Sequence, residues 1–182
     1  MNWYRIIHTI GMCLHGSGQK RAHYLKKHNI LRHIGDHCMV MFRKIPLYPK
    51  LLSLGDNVWI ATGVTFVSHD AIHHMLNNCI AGDKFRENIG CIKIEDNVFI
   101  GANSIILPNV TIGPNTIVGA ETLVNKSIGG VYAGVPAKYI CSFDEFVEKR
   151  RHMPDIKIEK IKGDLSEVSV EVFWKLYNQK NK

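Results

Sequence analysis

The sequence lacks the patterns that mark membrane and secreted proteins. No uninterrupted apolar run approaches the roughly 18–20 residues that a membrane-spanning helix needs. The stretch from Met1 to Leu14 is mildly apolar, but it contains His8 and has no small-residue cleavage site. It is therefore a poor match to a signal peptide, and we expect neither a membrane span nor a secretion signal.

The cysteines are never arranged in closely spaced pairs. The five cysteines are scattered along the chain, are odd in number and never form a C-x-x-C spacing. This distribution argues against a disulfide framework and against a zinc ribbon. We therefore expect a cytoplasmic, reducing location.

Acidic residues are outnumbered by basic ones, 16 against 23, which gives a net charge of +7. Such a balance favours nucleic acid, a membrane surface or a polyphosphate ligand. The basic residues are dispersed and are not interleaved with stacking aromatics, so we do not expect a nucleic-acid partner. The length of 182 residues suffices for one domain with its own core.

The sequence does contain an internal repeat with a period of six. The chain from Ile94 onward divides into blocks of six residues. The fifth position of each block is small or β-branched, and the fourth is asparagine in four blocks and then Glu121. The same frame occurs upstream in blocks that begin at Leu54, Ile60 and Phe66, with a degraded version at Ile34 and Val40. The first position is aliphatic in six consecutive blocks: Ile94, Ile100, Ile106, Ile112, Val118 and Val124.

A period of six fits neither an α-helix nor a plain strand. It predicts a short strand followed by a corner, where asparagine or glycine adopts the positive φ of a tight turn. Three blocks close one triangular coil, and stacked coils share a continuous core. We therefore predict a mainly β protein with a parallel β-helix over residues 34–141. The distance along the chain from Phe66 to Ile94 is not a multiple of six, so an inserted loop at about residues 67–92 interrupts the repeat.

Helical segments are predicted on both sides of the repeat. Residues 1–33 form an N-terminal helical segment, with a helix over 19–29. Residues 142–182 form a C-terminal helical extension, in which Ser142 and Glu145 make a capping box that opens a helix.

A second capping box is predicted at Asp164 and Glu167, followed by a helix over 164–179. Alternating apolar residues predict a short strand at 155–162 before it. The apolar stripe of the last helix is interpreted as a docking face.

Three segments resemble the hexapeptide-repeat acyltransferases: LGDNVWI at 54–60, IGANSIILPNVTIG at 100–113 and AGVPAK at 133–138. Within that family the sequence is similar to the galactoside and maltose O-acetyltransferases and to relatives that acetylate capsular sugars and xenobiotic antibiotics. The resemblance implies a left-handed β-helix, a homotrimer, and acetyl-CoA bound in the groove between neighbouring subunits. The implied activity is O-acetylation of a sugar or glycan.

The resemblance also implies a catalytic residue, His69, because the family carries its catalytic histidine on a loop at this point. An acceptor hydroxyl must lose its proton as it attacks a thioester, and histidine, with an ordinary pKa near 6.5, can accept that proton. Either Asp70 or a backbone carbonyl would orient the ring. Candidate acceptor contacts are Asp70, His73, His74 and Trp59.

By the same resemblance, small residues at coil corners would meet the pantetheine arm, and lysines would pair with the phosphates of acetyl-CoA. Asn125 stands where the family has a threonine. The candidate acetyl-CoA contacts are Ala102, Ala120, Asn125, Lys126 and Lys138.

Other functions stay open at the level of sequence. His69 and His74 have the H-x4-H spacing of γ-class carbonic anhydrases, which hold a metal with three imidazoles on the same scaffold. However, no histidine lies between His37 and His69 to supply the third ligand. A non-catalytic assembly module, or an acceptor that is an amino sugar or a xenobiotic, also fits. Arg43, Lys44 and Tyr48 suit an acidic, capsular-type sugar.

Overall fold

The computed structural model describes residues 3–161 and 164–180. The chain divides into two units, with the boundary between Phe146 and Val147. Each unit is described separately.

The first unit contains short strands that form three sheets. The first sheet has the order β1 (His33–Ile34), β3 (Leu52–Leu54), β6 (Ile92–Ile94), β9 (Val110–Ile112). The second has the order β2 (Met39–Val40), β4 (Val58–Ile60), β7 (Val98–Ile100), β10 (Thr116–Val118), β12 (Val131–Ala133), β13 (Lys138–Cys141). The third has the order β5 (Thr65–Phe66), β8 (Ile105–Ile106), β11 (Leu123–Val124). Neighbouring strands pair in parallel, except that β13 returns antiparallel to β12.

The pairing register confirms that three blocks of the repeat make one coil. Ile94 pairs with Ile112 and Ile100 with Val118, and in each pair the partner begins the third block further along the chain. Each strand therefore lies directly over the equivalent strand of the next coil. The degraded repeat at Ile34 is also a coil, since Ile34 pairs with Leu54, although this coil is slightly longer than three blocks.

The core and the corners follow the predicted positions. The six aliphatic residues from Ile94 to Val124 are all buried, and so are the small residues four positions later, such as Ser104 and Thr122. The asparagines of the fourth position all have φ between 52° and 62°, and Glu121 has a φ of 54°. Asparagine is suited to this left-handed conformation because its short side chain bonds locally.

The inserted loop lies between β5 and β6. Leu54 pairs with Ile94 across a stretch of chain far longer than the three blocks that would continue the repeat. The insertion contains a helix, α3 (Ile72–Cys79), that we did not predict. Its apolar residues, Ile72, Met75 and Leu76, have helical spacing, which is the signal that could have revealed it.

The predicted N-terminal helical segment contains two helices, α1 (Trp3–Cys13) and α2 (Gly18–Lys27). Ser17 caps α2 by accepting a hydrogen bond from the Lys20 backbone N–H. Arg21 is fully buried, and it donates to the carbonyls of His15 and Met41 at 3.1 Å. These bonds hold α2 against the first coil.

The first unit ends in α4 (Phe143–Arg151), which continues past its boundary. The predicted capping box is confirmed: the Ser142 N–H donates to the Glu145 carboxylate at 2.7 Å, and the Glu145 N–H donates to Ser142 Oγ at 3.1 Å. All five cysteines are free thiols.

In the second unit, β14 (Lys160–Ile161) and β15 (Asp164–Leu165) form a hairpin before α5 (Glu167–Lys180). The predicted strand at 155–162 is shorter, since 155–159 are irregular and residue 162 lies outside the described residues. The second capping box is wrong, because the helix begins later than predicted. Asp164 is paired in β15, so Ser166 caps the helix and its Oγ accepts from the Ser169 N–H at 3.2 Å.

Candidate active site

The inserted loop is anchored at its base by a short antiparallel ribbon. The Gly90 N–H donates to the Ser68 carbonyl at 2.8 Å, and the Asp70 N–H donates to the Asn88 carbonyl at 3.1 Å. Between these bonds, His69 and Ile89 are bridge partners. His69 therefore stands on a paired backbone, which limits its movement more than an unpaired loop would.

Ser68 ties this ribbon to the preceding coil. Its side chain is buried, and its hydroxyl donates to the Leu47 carbonyl at 3.0 Å. The adjacent Tyr48 is held in a left-handed conformation with a φ of 54°. Its ring lies edge-on to His69, with centroids 5.1 Å apart.

The hydroxyl of Tyr48 points to a carboxylate on the far side of the insertion. It donates to the Glu87 carboxylate at 3.3 Å. The negative charge of Glu87 raises the pKa of the Tyr48 hydroxyl. Tyr48 thus links the preceding coil, the histidine and the returning strand of the insertion.

The His69 ring is half-buried, and its Nδ1 atom is fully buried. Among the described residues, Nδ1 has no hydrogen-bond partner. A buried polar atom without a partner is destabilising by about 1–3 kcal/mol, so native structures rarely keep one without a purpose.

Asp70 does not orient the His69 ring within one chain. One carboxylate oxygen accepts from the Ile72 N–H at 3.1 Å, at the start of α3, and the other accepts from Asn88 Nδ2 at 3.1 Å. Asp70 therefore stabilises the insertion on both sides of His69.

The other two loop histidines lie in the first turn of α3. The rings of His73 and His74 are 4.0 Å apart, and His74 is exposed. Nδ1 of His73 is buried and also lacks a partner within the described part of the chain.

Two cavities border this region. One, of about 420 Å³, is formed by Tyr48, Ile89 and residues 49–51, so two of its walls are the neighbours of His69. A larger one, of about 550 Å³, is lined by residues 41–47 and 62–66 together with Arg5, and it carries Arg43 and Lys44.

The candidate acetyl-CoA residues fall into two groups. Ala102 and Ala120 occupy the same corner on consecutive coils, joined by the bond from the Glu121 N–H to the Ala102 carbonyl at 2.8 Å. A Cβ added at Gly101 would come within 2.5 Å of the Ala120 nitrogen. The backbones are therefore in close contact, and Ala102 and Ala120 each add only a methyl group to this corner, beside the exposed Asn103 and Glu121.

Asn125 and Lys126 lie at the corner that follows β11 and are exposed. The insertion begins at the same column of corners. The Val67 N–H donates to the Ile106 carbonyl, and on the next coil the Leu107 N–H donates to the Val124 carbonyl. Lys138 is exposed at the start of β13, where the bond from the Ala137 N–H to the Leu123 carbonyl holds the AGVPAK segment against the last coil.

Trp59 lies on the outward face of the second sheet and is 40% exposed. It projects from β4, and its indole N–H donates to Asn57 Oδ1 at 3.0 Å. It lines a cavity with residues of α2 and with Asp36 and His37. In residues 3–161 and 164–180, no group of three His, Cys, Asp or Glu side chains is arranged to hold a metal ion.

The family model that describes the bacterial transferase hexapeptide (six repeats) matches residues 91–126. The chain contains a hexapeptide-repeat domain. This domain comprises the regular coils that follow the insertion, including the corner of Ala102 and Ala120. It begins after the segment that carries His69.

Relatives with similar sequences include Protein CapG of Staphylococcus aureus, which is 47% identical over 105 residues, covering 56% of this chain and 58% of CapG. The galactoside O-acetyltransferase of Escherichia coli (strain K12) is 35% identical over 130 residues, covering 70% of this chain and 61% of that enzyme. The chain thus spans less than two thirds of the length of either relative.

Solved structures with the same fold include a galactoside acetyltransferase in complex with coenzyme A, with a TM-score of 0.57 and 26% identity, covering 86% of this chain and 88% of that one. A maltose O-acetyltransferase from Clostridium difficile 630 has a TM-score of 0.56 and 24% identity, covering 76% and 84%. The hexapeptide-repeat domain therefore has the fold of these structures.

Proposed function

We propose that the protein is an acetyltransferase that moves an acetyl group from acetyl-CoA to a hydroxyl of a sugar or glycan, with His69 as the general base. The observation that carries the proposal is the state of His69: a half-buried ring on a paired ribbon, beside a cavity. The similarity to a galactoside O-acetyltransferase and to a coenzyme A complex supports it.

The proposal includes a homotrimer of left-handed β-helices, with each site between two subunits. The outward faces of the second and third sheets support it, because they expose Trp59, Phe99 and Ile105. The outward face of the first sheet carries Lys93 and Thr111 instead. Apolar residues exposed side by side favour subunit contact.

Bound acetyl-CoA would supply an acetyl group activated as a thioester. His69 would accept the proton of the acceptor hydroxyl and return it to the departing sulfur. Because Nδ1 is buried, we assign the proton transfer to Nε2. Tyr48 and the ribbon would hold the ring in position during the transfer.

The corner of Ala102 and Ala120 and the lysines near the last coil support acetyl-CoA binding. The small side chains of Ala102 and Ala120 would let a pantetheine arm approach the backbone. Lys126 and Lys138 are exposed near the last coil, and their ammonium groups would meet the phosphates.

The cavity near the first coils supports an acidic acceptor. Arg5, Arg43 and Lys44 line it, and no carboxylate of the described residues does. An acidic sugar would therefore meet cations there. The five free thiols favour a reducing, cytoplasmic location.

An acceptor panel tests the proposed function. Acetyl-CoA would be incubated with the protein and neutral, acidic or amino sugars or xenobiotics, with free CoA and acetylated product detected by mass spectrometry. We expect CoA release that depends on the acceptor and is fastest with acidic sugars. No acceptor-dependent release from any member of the panel would contradict the proposal.

A further inference from the structure

The first helix exposes an apolar stripe along its length. Trp3, Ile7, Ile10 and Leu14 are 63%, 62%, 58% and 81% exposed. Their helical spacing places them on one face of α1 and of the turn that follows it. Large apolar residues exposed in a continuous row mark a surface that binds another protein or a membrane.

The opposite face fixes the direction in which this stripe points. Met12 is fully buried, and His8 Nδ1 and the Tyr24 hydroxyl of α2 are 3.0 Å apart. Gly11 packs against the Tyr24 side chain, where an added Cβ would clash with that hydroxyl. The stripe therefore faces away from the rest of the first unit.

The N-terminal part of the sequence, which includes α1, carries most of the basic excess of the chain. Residues 1–55 contain nine lysines and arginines and a single acidic residue, Asp36. In the rest of the chain, acidic side chains slightly outnumber basic ones, so the first segment accounts for the whole net positive charge. Arg5 of α1 lines the same cavity as Arg43 and Lys44, which places cations beside the helix.

We propose that α1 and the basic residues around it bind an anionic lipid surface, with the helix lying in the plane of the interface. Apolar side chains in a row, with a tryptophan and neighbouring cations, are the features of in-plane helices. No helix in residues 3–161 and 164–180 combines the length and the apolar character that crossing a membrane requires. With 11 residues, α1 is about 16 Å long, which suits surface binding. The proposal adds a location to the proposed function and does not depend on it.

Charge decides between a lipid surface and a second copy of the chain. Contact between two copies of α1 would bring two regions of the same positive sign together, which is unfavourable. An anionic headgroup layer neutralises that charge instead.

Flotation of the full-length protein with lipid vesicles tests the proposal. We expect binding to vesicles of phosphatidylcholine mixed with phosphatidylglycerol, little binding to phosphatidylcholine alone, and weaker binding at high salt. The double variant Ile7→Ser/Ile10→Ser should bind at least about tenfold more weakly. The variants Arg43→Gln and Lys44→Gln should each bind about fivefold more weakly.

Ile140→Ser is the matched control, because Ile140 is 59% exposed but lies on β13. It should bind vesicles like the unaltered protein, and equal thermal unfolding midpoints would show that all variants are folded. Absence of vesicle binding, equal binding to neutral vesicles, or an equal loss in Ile140→Ser would overturn the proposal. A smaller assembly in Ile7→Ser/Ile10→Ser by light scattering, without vesicle binding by the unaltered protein, would also overturn it and assign the stripe to contact between copies.

Discussion

The ring of Tyr48 meets the imidazole of His69 edge-on, with a centroid distance of 5.1 Å and an interplanar angle of 76°. Nδ1 of His69 has no hydrogen-bond partner in the part of the chain that the structure describes. The ring contact, together with the paired backbone at His69, therefore holds the imidazole in its orientation. Aromatic pairs of this geometry contribute about 0.5–1.5 kcal/mol.

Removing the Tyr48 ring should slow the reaction without weakening acetyl-CoA binding. We expect Tyr48→Leu to lower kcat by about threefold to tenfold, because the base would lose its orientation. Tyr48→Phe should keep kcat within about twofold, since the hydroxyl bonds to Glu87 and not to His69. Steady-state kinetics with acetyl-CoA and the best acceptor would measure both variants. Equal losses in Tyr48→Phe and Tyr48→Leu would show that the hydroxyl matters and not the ring.

The corner asparagines stabilise the coils in two ways, through their left-handed conformation and through hydrogen bonds between their side chains. Asn57 Nδ2 donates to Asn97 Oδ1 at 3.0 Å, and Asn97 Nδ2 donates to Asn115 Oδ1 at 3.1 Å. Asn97→Gly keeps the left-handed corner and loses these bonds, whereas Asn97→Ala loses the bonds and strains the corner. Urea unfolding at matched protein concentration should show a loss of about 1 kcal/mol for glycine and about 2 kcal/mol for alanine.

Glu121→Gly is the control for this comparison. Glu121 has a φ of 54°, and glycine adopts that conformation without strain. We expect its free energy of unfolding to be unchanged or higher. If Asn97→Ala and Asn97→Gly were equally stable, the corner conformation would not be the source of the asparagine preference.

Stability should depend on pH through His8. Burial of its ring, and then the positive charge of the nearby His28, lower the pKa of His8 below its ordinary value. The groups around it are Tyr4, Tyr24 and His28. A histidine whose pKa is lowered by folding favours the unfolded chain once it is protonated. Its stabilising contribution is therefore present above about pH 6.5 and is lost as the pH falls through the lowered value.

Comparison with His8→Gln isolates this contribution from the other histidines. Thermal unfolding midpoints of both proteins would be measured from about pH 8 to about pH 5. We expect the unaltered protein to lose stability more steeply than His8→Gln below about pH 6.5. Parallel curves for the two proteins over the whole range would contradict the account.

The regular coils were predictable because each position of the repeat carries one physical demand. Inward positions require apolar or small side chains, and the corner requires a positive φ. Ser104 and Thr122 are small enough for these inward positions. Their buried hydroxyls are paired, because they donate to the carbonyls of Gly101 and Gly119 at 2.9 Å. The pattern is therefore local, and a single sequence suffices to detect it.

The elements that were missed depend on tertiary pairing. Asp164 and Ser166 are both good helix caps, and the choice of Ser166 follows from the pairing of Asp164 with Ile161 in the hairpin. Helix α3 is short and lies inside a β-pattern, so its few apolar positions are a weak helical signal beside the repeat.

The surroundings of His69 were only partly predictable. The separation between Leu47 and Ser68 along the chain is close to the length of the early coil, which runs from Ile34 to Leu54. That spacing is a signal that could have placed Tyr48 beside His69. The bonds that Asp70 makes depend on how the insertion folds back, and no local pattern reveals them.

The most direct measurement compares His69→Ala with His33→Ala, an exposed histidine on the outward face of the first sheet. Acetyl-CoA affinity would be measured by calorimetry, and turnover by acceptor-dependent release of CoA. If His69 is the general base, His69→Ala binds acetyl-CoA normally but loses turnover by about 100-fold to 10,000-fold, while His33→Ala retains both. Full turnover in His69→Ala would contradict the central claim.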